Sequence, residues 1–431
     1  MVLDQNKKED RSPYLHNALK NTISEENELA STSYEGLSSA NRQKTSPKRM
    51  KKKKPFSRVP KWVYSVIIVL LAVVVGLFIW FGVAGSSDIG QWLRSITVGV
   101  GNGNGYPTDI VGSTVSRGNF ITMHKNAVAL SDTALTVMNN TAKHLVNCQH
   151  GFSHPVLQAS NGRYLLYNLG GSGFKVVSDA GNVYESNADS NLITGHIADN
   201  GRYVLVTEKK GYLSSLSVYL TNHSVQYKYD FSEYYVTDVS LNHDGTRAAV
   251  SAMTAKDGGL VSAVYIFDLS IPTPIAVLTY SEALIEQVIY LQDGTVAAVG
   301  DTVTSMINGT TGEKVDYSYQ SRRMTDFAVD SDRVALVLTP FDNQSANKIV
   351  LLNSRVAEQI VIESYDSIDA VSLYRDTVAT LTNDTITGYS ASSGNAFSTA
   401  NAGSDARGIA LADEAHIYVL GVSQVRLSKF S

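Results

Sequence analysis

The stretch VTDVSLNHDGTRAAVSA, Val236–Ala252, decides the fold. Its first half alternates apolar and polar residues, its middle supplies Asp244-Gly245, and its second half is almost continuously small and apolar. Asp-Gly favours a tight hairpin because both residues tolerate positive φ, which matches the twist of the flanking strands. Alternation marks a strand with one wet face, whereas an unbroken apolar run of this length marks a strand covered on both faces. A single hairpin of this kind is not stable alone and needs neighbours.

The chain supplies them. The same strand, Asx turn and apolar strand recur in FITMHKNAVALS, PVLQASNGRYLLYNL, ITGHIADNGRYVLVTE, IEQVIYLQDGTVAAVGD, MTDFAVDSDRVALVL, IDAVSLYRDTVATLT and RGIALADEAHIYVLG. The eight turns fall at Asn126, Asn161, Asn200, Asp244, Asp293, Asp332, Asp376 and Asp413, on average about 41 residues apart. A second strand pair usually follows each copy, as in SVYLTNHSVQYKYDF, VYIFDLSIPTPIAVLTY, SMINGTTGEKVDYSY and ITGYSASSGNAFST. Four antiparallel strands in that length make one propeller blade. The sequence therefore predicts an all-β, eight-bladed propeller over residues 109–431, with seven blades as the alternative if the first copy is not a full blade.

Closure is also predicted. The eighth copy runs from Arg407 through QVRLSKF and stops three strands in, while Thr108 to Val115, TDIVGSTV, precedes the first copy with nothing to pair with. An N-terminal strand that completes the last blade removes the exposed edges of an open array. With one cysteine, Cys148, no internal disulfide is available to hold the ring, so burial must do it.

Upstream, residues 62–84, WVYSVIIVLLAVVVGLFIWFGVA, carry no charge and are long enough to cross a bilayer as a helix. Lys51, Lys52, Lys53, Lys54, Arg58 and Lys61 crowd the flank before it, so the N-terminus is expected in the cytoplasm, with these six residues against lipid headgroups. Residues 1–61 carry 14 Lys+Arg against 7 Asp+Glu and few apolar clusters, and are expected to be a disordered basic tail. The remainder carries 22 against 33, an acidic extracytoplasmic portion that would repel nucleic acid. Between the two lies a linker, residues 85–108, in which Gly99 to Pro107 reads as a flexible joint.

A basic tail, one anchor, GNGNGYP, CQHGFSHPVL, GRYLLYN and the terminal SQVRLSKF resemble a family of Gram-positive bacterial membrane proteins, domain of unknown function 5711. INGTTGEKV is similar to hairpins of PQQ-like blades, within the PQQ-like and WD-repeat β-propeller superfamily. The resemblance covers about residues 100–431 and implies a membrane-anchored extracytoplasmic propeller, without catalytic residues to carry over.

Chemistry is sparse in the residues. All three tryptophans, Trp62, Trp80 and Trp92, lie in or beside the apolar span, so the repeats lack the Trp of WD dipeptides and of PQQ-binding repeats. Cys148, His150 and His154 have a suggestive spacing, but a structural zinc site needs four ligands and none is near in sequence. No GxSxG or HExxH occurs, and the carboxylate pairs Glu282 with Glu286 and Asp366 with Asp369 read as solvated acids. No metal or cofactor is expected. The loops that join one blade to the next share one end of a propeller, and here they contain His154, Tyr234, Tyr235, Arg322, Arg323, Asp366, Asp405 and Arg407. These residue types anchor interfaces, which predicts a non-enzymatic scaffold for envelope proteins or wall polymer; the alternatives are an envelope-glycan hydrolase or lyase acting in the channel, and a small-ligand sensor. Protease added to intact cells should remove the repeats and spare an epitope placed within residues 1–61; loss of both, or of neither, would contradict the single span.

Overall fold

The protein is described by a computed structural model over residues 102–342, 346–356 and 360–430. The predicted tail with its six lipid-facing basic residues, the predicted span, and residues 85–101 of the linker lie outside the described residues.

Eight four-stranded antiparallel sheets follow one another around a closed ring. Blade 1 covers residues 115–149, blade 2 155–187, blade 3 192–231, blade 4 235–280, blade 5 285–318, blade 6 322–364 and blade 7 370–401. Blade 8 combines 408–429 with Thr108–Asp109. The first copy is a complete blade, so the ring has eight members and not seven. Within blades 1 to 7 the strands pair in chain order, and in blade 8 Thr108–Asp109 takes the fourth place; the first strand faces the axis and the fourth the periphery.

The continuous apolar second strands are explained by the seams. Eight apolar clusters exist, one between each pair of adjacent blades, and successive residues of a second strand serve opposite seams. Ala248, Val250 and Ala252 pack toward blade 3, while Ala249 packs toward blade 5. Val334, Leu336 and Leu338 pack toward blade 5, while Ala335 and Val337 pack toward blade 7. A strand with two buried faces has no room for the polar alternation of an open sheet.

The Asx turns add a second fastening. Arg163 of blade 2 donates through Nη1 to the Asp199 carbonyl of blade 3 at 2.5 Å, and Arg202 donates likewise to the Gly245 carbonyl of blade 4 at 3.1 Å. Gly201 must be glycine twice over: its φ is +87°, and the Arg163 side chain lies where a Cβ would stand.

First strands have one free edge each, and side chains of the neighbouring blade satisfy it. Asn119 accepts the Leu157 N–H at 3.0 Å, Asp238 the Val288 N–H at 3.1 Å, Asp326 the Val371 N–H at 3.0 Å and Ser372 the Leu411 N–H at 3.0 Å. The last gap is bridged by Thr122, which donates to the Leu411 carbonyl at 2.7 Å. The Asp238 carboxyl is pushed up to about 6 by burial, which outweighs its hydrogen bonds from the Val288 and Val239 N–H groups and the Thr194 hydroxyl.

The closing strand is shorter than the sequence predicts. Only Thr108 and Asp109 pair with Val425 and Gln424, extended by the Ile110 N–H donating to the Ser423 carbonyl at 2.9 Å. Val115 belongs instead to the first strand of blade 1, opposite Ser131, and the N–H groups of Ser113 and Thr114 bind the Asp132 carboxylate. Tyr106 makes up the difference. Its ring sits 5.5 Å from that of Tyr418 in blade 8, and its hydroxyl donates to the Asn139 carbonyl of blade 1 at 2.8 Å. Gly103 and Gly105 before it are docked, which differs from the flexible joint expected for this part of the stretch: the Gly103 N–H donates to Thr141 Oγ1 at 2.9 Å and the Gly105 N–H to the Thr141 carbonyl at 3.0 Å. A Cβ at Gly103 would collide with the Thr141–Lys143 backbone, so glycine serves close approach there.

Two outcomes follow for unfolding measurements. Tyr106→Ala should cost about 3 kcal/mol, as other large-to-small aromatic truncations do, and Tyr106→Phe only about 1 kcal/mol for one hydrogen bond. An unfolded aspartate titrates near 3.9, so the raised native value means that the fold binds this proton more tightly; the associated stability is complete below about pH 4 and lost as pH rises through about 6. Asp238→Asn keeps the acceptor for Val288 and removes that loss. Relative to the variant, the native protein should lose about 2–3 kcal/mol between about pH 4 and about pH 8.

Candidate functional site

Each first strand starts at the end of the ring where blades are joined and runs to the end that bears the Asx turns. All eight loop residues predicted to bind lie at the joining end. His154 is between blades 1 and 2, Tyr234 and Tyr235 between 3 and 4, Arg322 and Arg323 at the start of blade 6, Asp366 between 6 and 7, and Asp405 and Arg407 between 7 and 8.

Their roles divide. Asp405 accepts the Val422 N–H at 3.1 Å and pairs with Arg426 at 2.7 Å, and these two contacts hold its carboxyl below the usual range. Arg322 donates to the Ala346 carbonyl at 2.5 Å, and the Tyr234 ring lies edge-on to Tyr265, 6.0 Å away. These three side chains shape the loops. His154, Tyr235, Arg323, Asp366 and Arg407 are exposed on the rim.

Apolar exposure concentrates at the same end. Among the described residues the four most exposed large apolar side chains are Tyr365 at 76 %, Phe341 at 64 %, Leu260 at 60 % and Tyr235 at 55 %. All four sit in or beside joining loops or loops between second and third strands. Leu169, Tyr212 and Val422 are further exposed apolar residues at this end; at the opposite end Ile271 lies in a loop, and Val183, Val225, Val277, Val315, Val361 and Phe397 take the first or second position of fourth strands, on the periphery. Blade 4 reaches furthest, because its second and third strands, Arg247–Lys256 and Gly259–Asp268, have 10 residues each. Reading joining loops alone misses Leu260 and Phe341. Antiparallel alternation brings the loop between second and third strands back to the same end, and that was the available signal.

At the axis, a bulge in the first strand of blade 1 projects Arg117, whose guanidinium meets the Asp326 carboxylate of blade 6 at 2.7 Å and the Thr325 carbonyl at 3.3 Å. Gly118, at φ +85°, permits the bulge. Burial raises the Asp326 carboxyl, with Arg117 and the Val371 and Phe327 N–H groups opposing. Glu286 is raised by burial and by the neighbouring charge of Asp301. The oxygens of Asp238 and Asp326 are thus engaged in tying blades together. His150 uses both ring nitrogens, Nε2 with the Ser131 carbonyl at 3.0 Å and Nδ1 with the Phe152 N–H at 3.2 Å, which leaves neither for a metal shared with Cys148. Among the described residues no three His, Cys, Asp or Glu side chains are grouped to hold an ion.

Residues 102–421 match the family of unknown function DUF5711. No curated protein matches the sequence. Among solved structures, the C-terminal WD40 domain of Sif2 is similar at 10 % identity and a TM-score of 0.54, over 76 % of this chain and 98 % of that one. The computationally designed Ika8 protein is similar at 15 % identity and a TM-score of 0.51, over 75 % and 97 %. At such identities the likeness speaks for the fold alone. With three quarters of its length in the match, and with the motifs CQHGFSHPVL and GRYLLYN inside it, the chain belongs to the DUF5711 family as an eight-bladed β-propeller.

Proposed function

We propose that this propeller is a non-enzymatic docking module of a Gram-positive cell envelope, tethered to the cell membrane by residues 62–84, that binds another envelope protein with its joining-loop end. The observation that carries the reading is that the four most exposed large apolar side chains among the described residues, Tyr365, Phe341, Leu260 and Tyr235, gather on one end of the ring. Exposed aromatic and aliphatic side chains among arginines, here Arg323 and Arg407, are the composition of interface anchors. Residues 103–105 dock on the turn after the third strand of blade 1, at the Asx-turn end and not among these side chains. The propeller fold suits such a role, since it presents many independent loops on a rigid frame.

A photo-crosslinking side chain placed at Tyr365 or Phe341 in living cells should give a discrete protein adduct, and the same group at Ile271 should not. The double variant Tyr365→Ser, Phe341→Ser should weaken that association at least tenfold with an unchanged melting temperature. Adducts from Ile271 alone, or none from any position under several growth conditions, would overturn the reading.

A further inference from the structure

At the Asx-turn end, four of the eight seams are fastened by an arginine at or beside the first position of a second strand. Besides Arg163 and Arg202, Arg247 donates to the Gly309 carbonyl at 2.9 Å and to Thr310 Oγ1 at 2.6 Å, and Arg333 faces Asp376 across the seam between blades 6 and 7 at 3.9 Å. Blade 8 has His416 in that position. Its ring turns back into its own blade, Nδ1 lying 2.9 Å from Asp413 Oδ1. This seam holds a cleft of about 360 Å³, bounded by Lys125, Asn126 and Asn140 on one side, Asp413 and His416 on the other, and Tyr418 behind.

The polar groups of the cleft are unequally used. Asp413 Oδ1 already accepts the N–H groups of Ala415 and His416 and the His416 ring; burial opposes its charge, but these bonds outweigh it and hold the carboxyl low. Lys125 Nζ is 4.0 Å from Asp413 Oδ2, beyond hydrogen-bond reach, and its side chain is 65 % exposed. The amides of Asn126 and Asn140 and Nε2 of His416 have no protein partner among the described residues, although Asn126 and His416 are half-buried. Unspent donor capacity is therefore one ammonium and two amides; Nε2 of His416, whose Nδ1–H goes to Asp413, adds a donor only in the imidazolium form, and the three bonds to Asp413 all fall on Oδ1. That set is complementary to an oxyanion.

We propose that the cleft between blades 8 and 1 is a binding site for a small ligand bearing phosphoryl or carboxylate oxygens, held by Lys125, Asn126 and Asn140 of blade 1 with His416 of blade 8 as the facing wall. This site is at the opposite end from the apolar rim and does not rest on the docking role. A ligand there spans the seam that the chain closes without a covalent link. The Tyr418 hydroxyl behind it donates to the Lys125 carbonyl at 3.0 Å, and the Tyr418 ring meets Tyr106, so occupancy stabilises closure itself.

The test is thermal unfolding and calorimetric titration of the full-length protein in neutral detergent, with sodium phosphate, sodium acetate, and sodium chloride at matched ionic strength. Phosphate, acetate or both should raise the melting temperature saturably, and the one that does identifies the oxyanion. Lys125→Met and Asn140→Ala, both at exposed positions, should leave the ligand-free melting temperature unchanged and weaken binding at least tenfold. An equal response to chloride, no saturable response to either oxyanion, or full binding by both variants would overturn the proposal.

Discussion

The structure depends on one constraint: eight blades must close a ring without a covalent link between its first and last members. Each seam is an apolar contact between second strands and their neighbours, and the seam between blades 8 and 1 has the least of it. Six buried residues form its cluster, against seven to seventeen at the others. Tyr106 and Ile110 pack onto that cluster from the segment that precedes the ring. The entering chain is thus part of the core of the last seam as well as the outer strand of the last blade. Since Cys148 is the one cysteine, no disulfide relieves this dependence.

Closure also sets what the axis can do. A free edge on every first strand would leave a row of buried N–H groups, and Asn119, Asp238, Asp326 and Ser372 accept them across the seams. Burying a carboxylate for this purpose costs free energy, visible in the raised Asp238 and Asp326 carboxyls. At Asp326 the cost is offset by Arg117, which reaches across the axis from a bulge in blade 1. The carboxyls of Asp238 and Asp326 are in this way committed to structure, while the four most exposed apolar side chains lie on the rim.

Much of this was legible in the sequence because it repeats. The Asx turns and unbroken apolar runs mark each blade, and the truncated eighth copy announces that something else must complete it. The rest depends on proximity that spacing does not encode. Tyr106 lies in a glycine-rich stretch that reads as a joint, and only the ring brings it to Tyr418. Arg117 and Asp326 are brought together by curvature alone. Arg163, Arg202 and Arg247 stand in plain view after their turns, but a hairpin signature does not say that the following arginine leaves its own blade. His416 acquires meaning only against those three. Of the eight rim residues, Asp405, Arg322 and Tyr234 proved to be internal ties because the loops fold back on themselves.

The central claim is that the N-terminal strand closes the ring, and the most direct measurement is a disulfide across that pairing. Thr108 and Val425 are opposed in register, so Thr108→Cys with Val425→Cys, in a Cys148→Ser background, should oxidise spontaneously and quantitatively by mass spectrometry. Because the bond would enclose nearly the whole ring, it should raise stability toward unfolding by up to about 5 kcal/mol. Thiols that remain reduced under oxidising conditions, or a bond that forms without any gain in stability, would contradict the account.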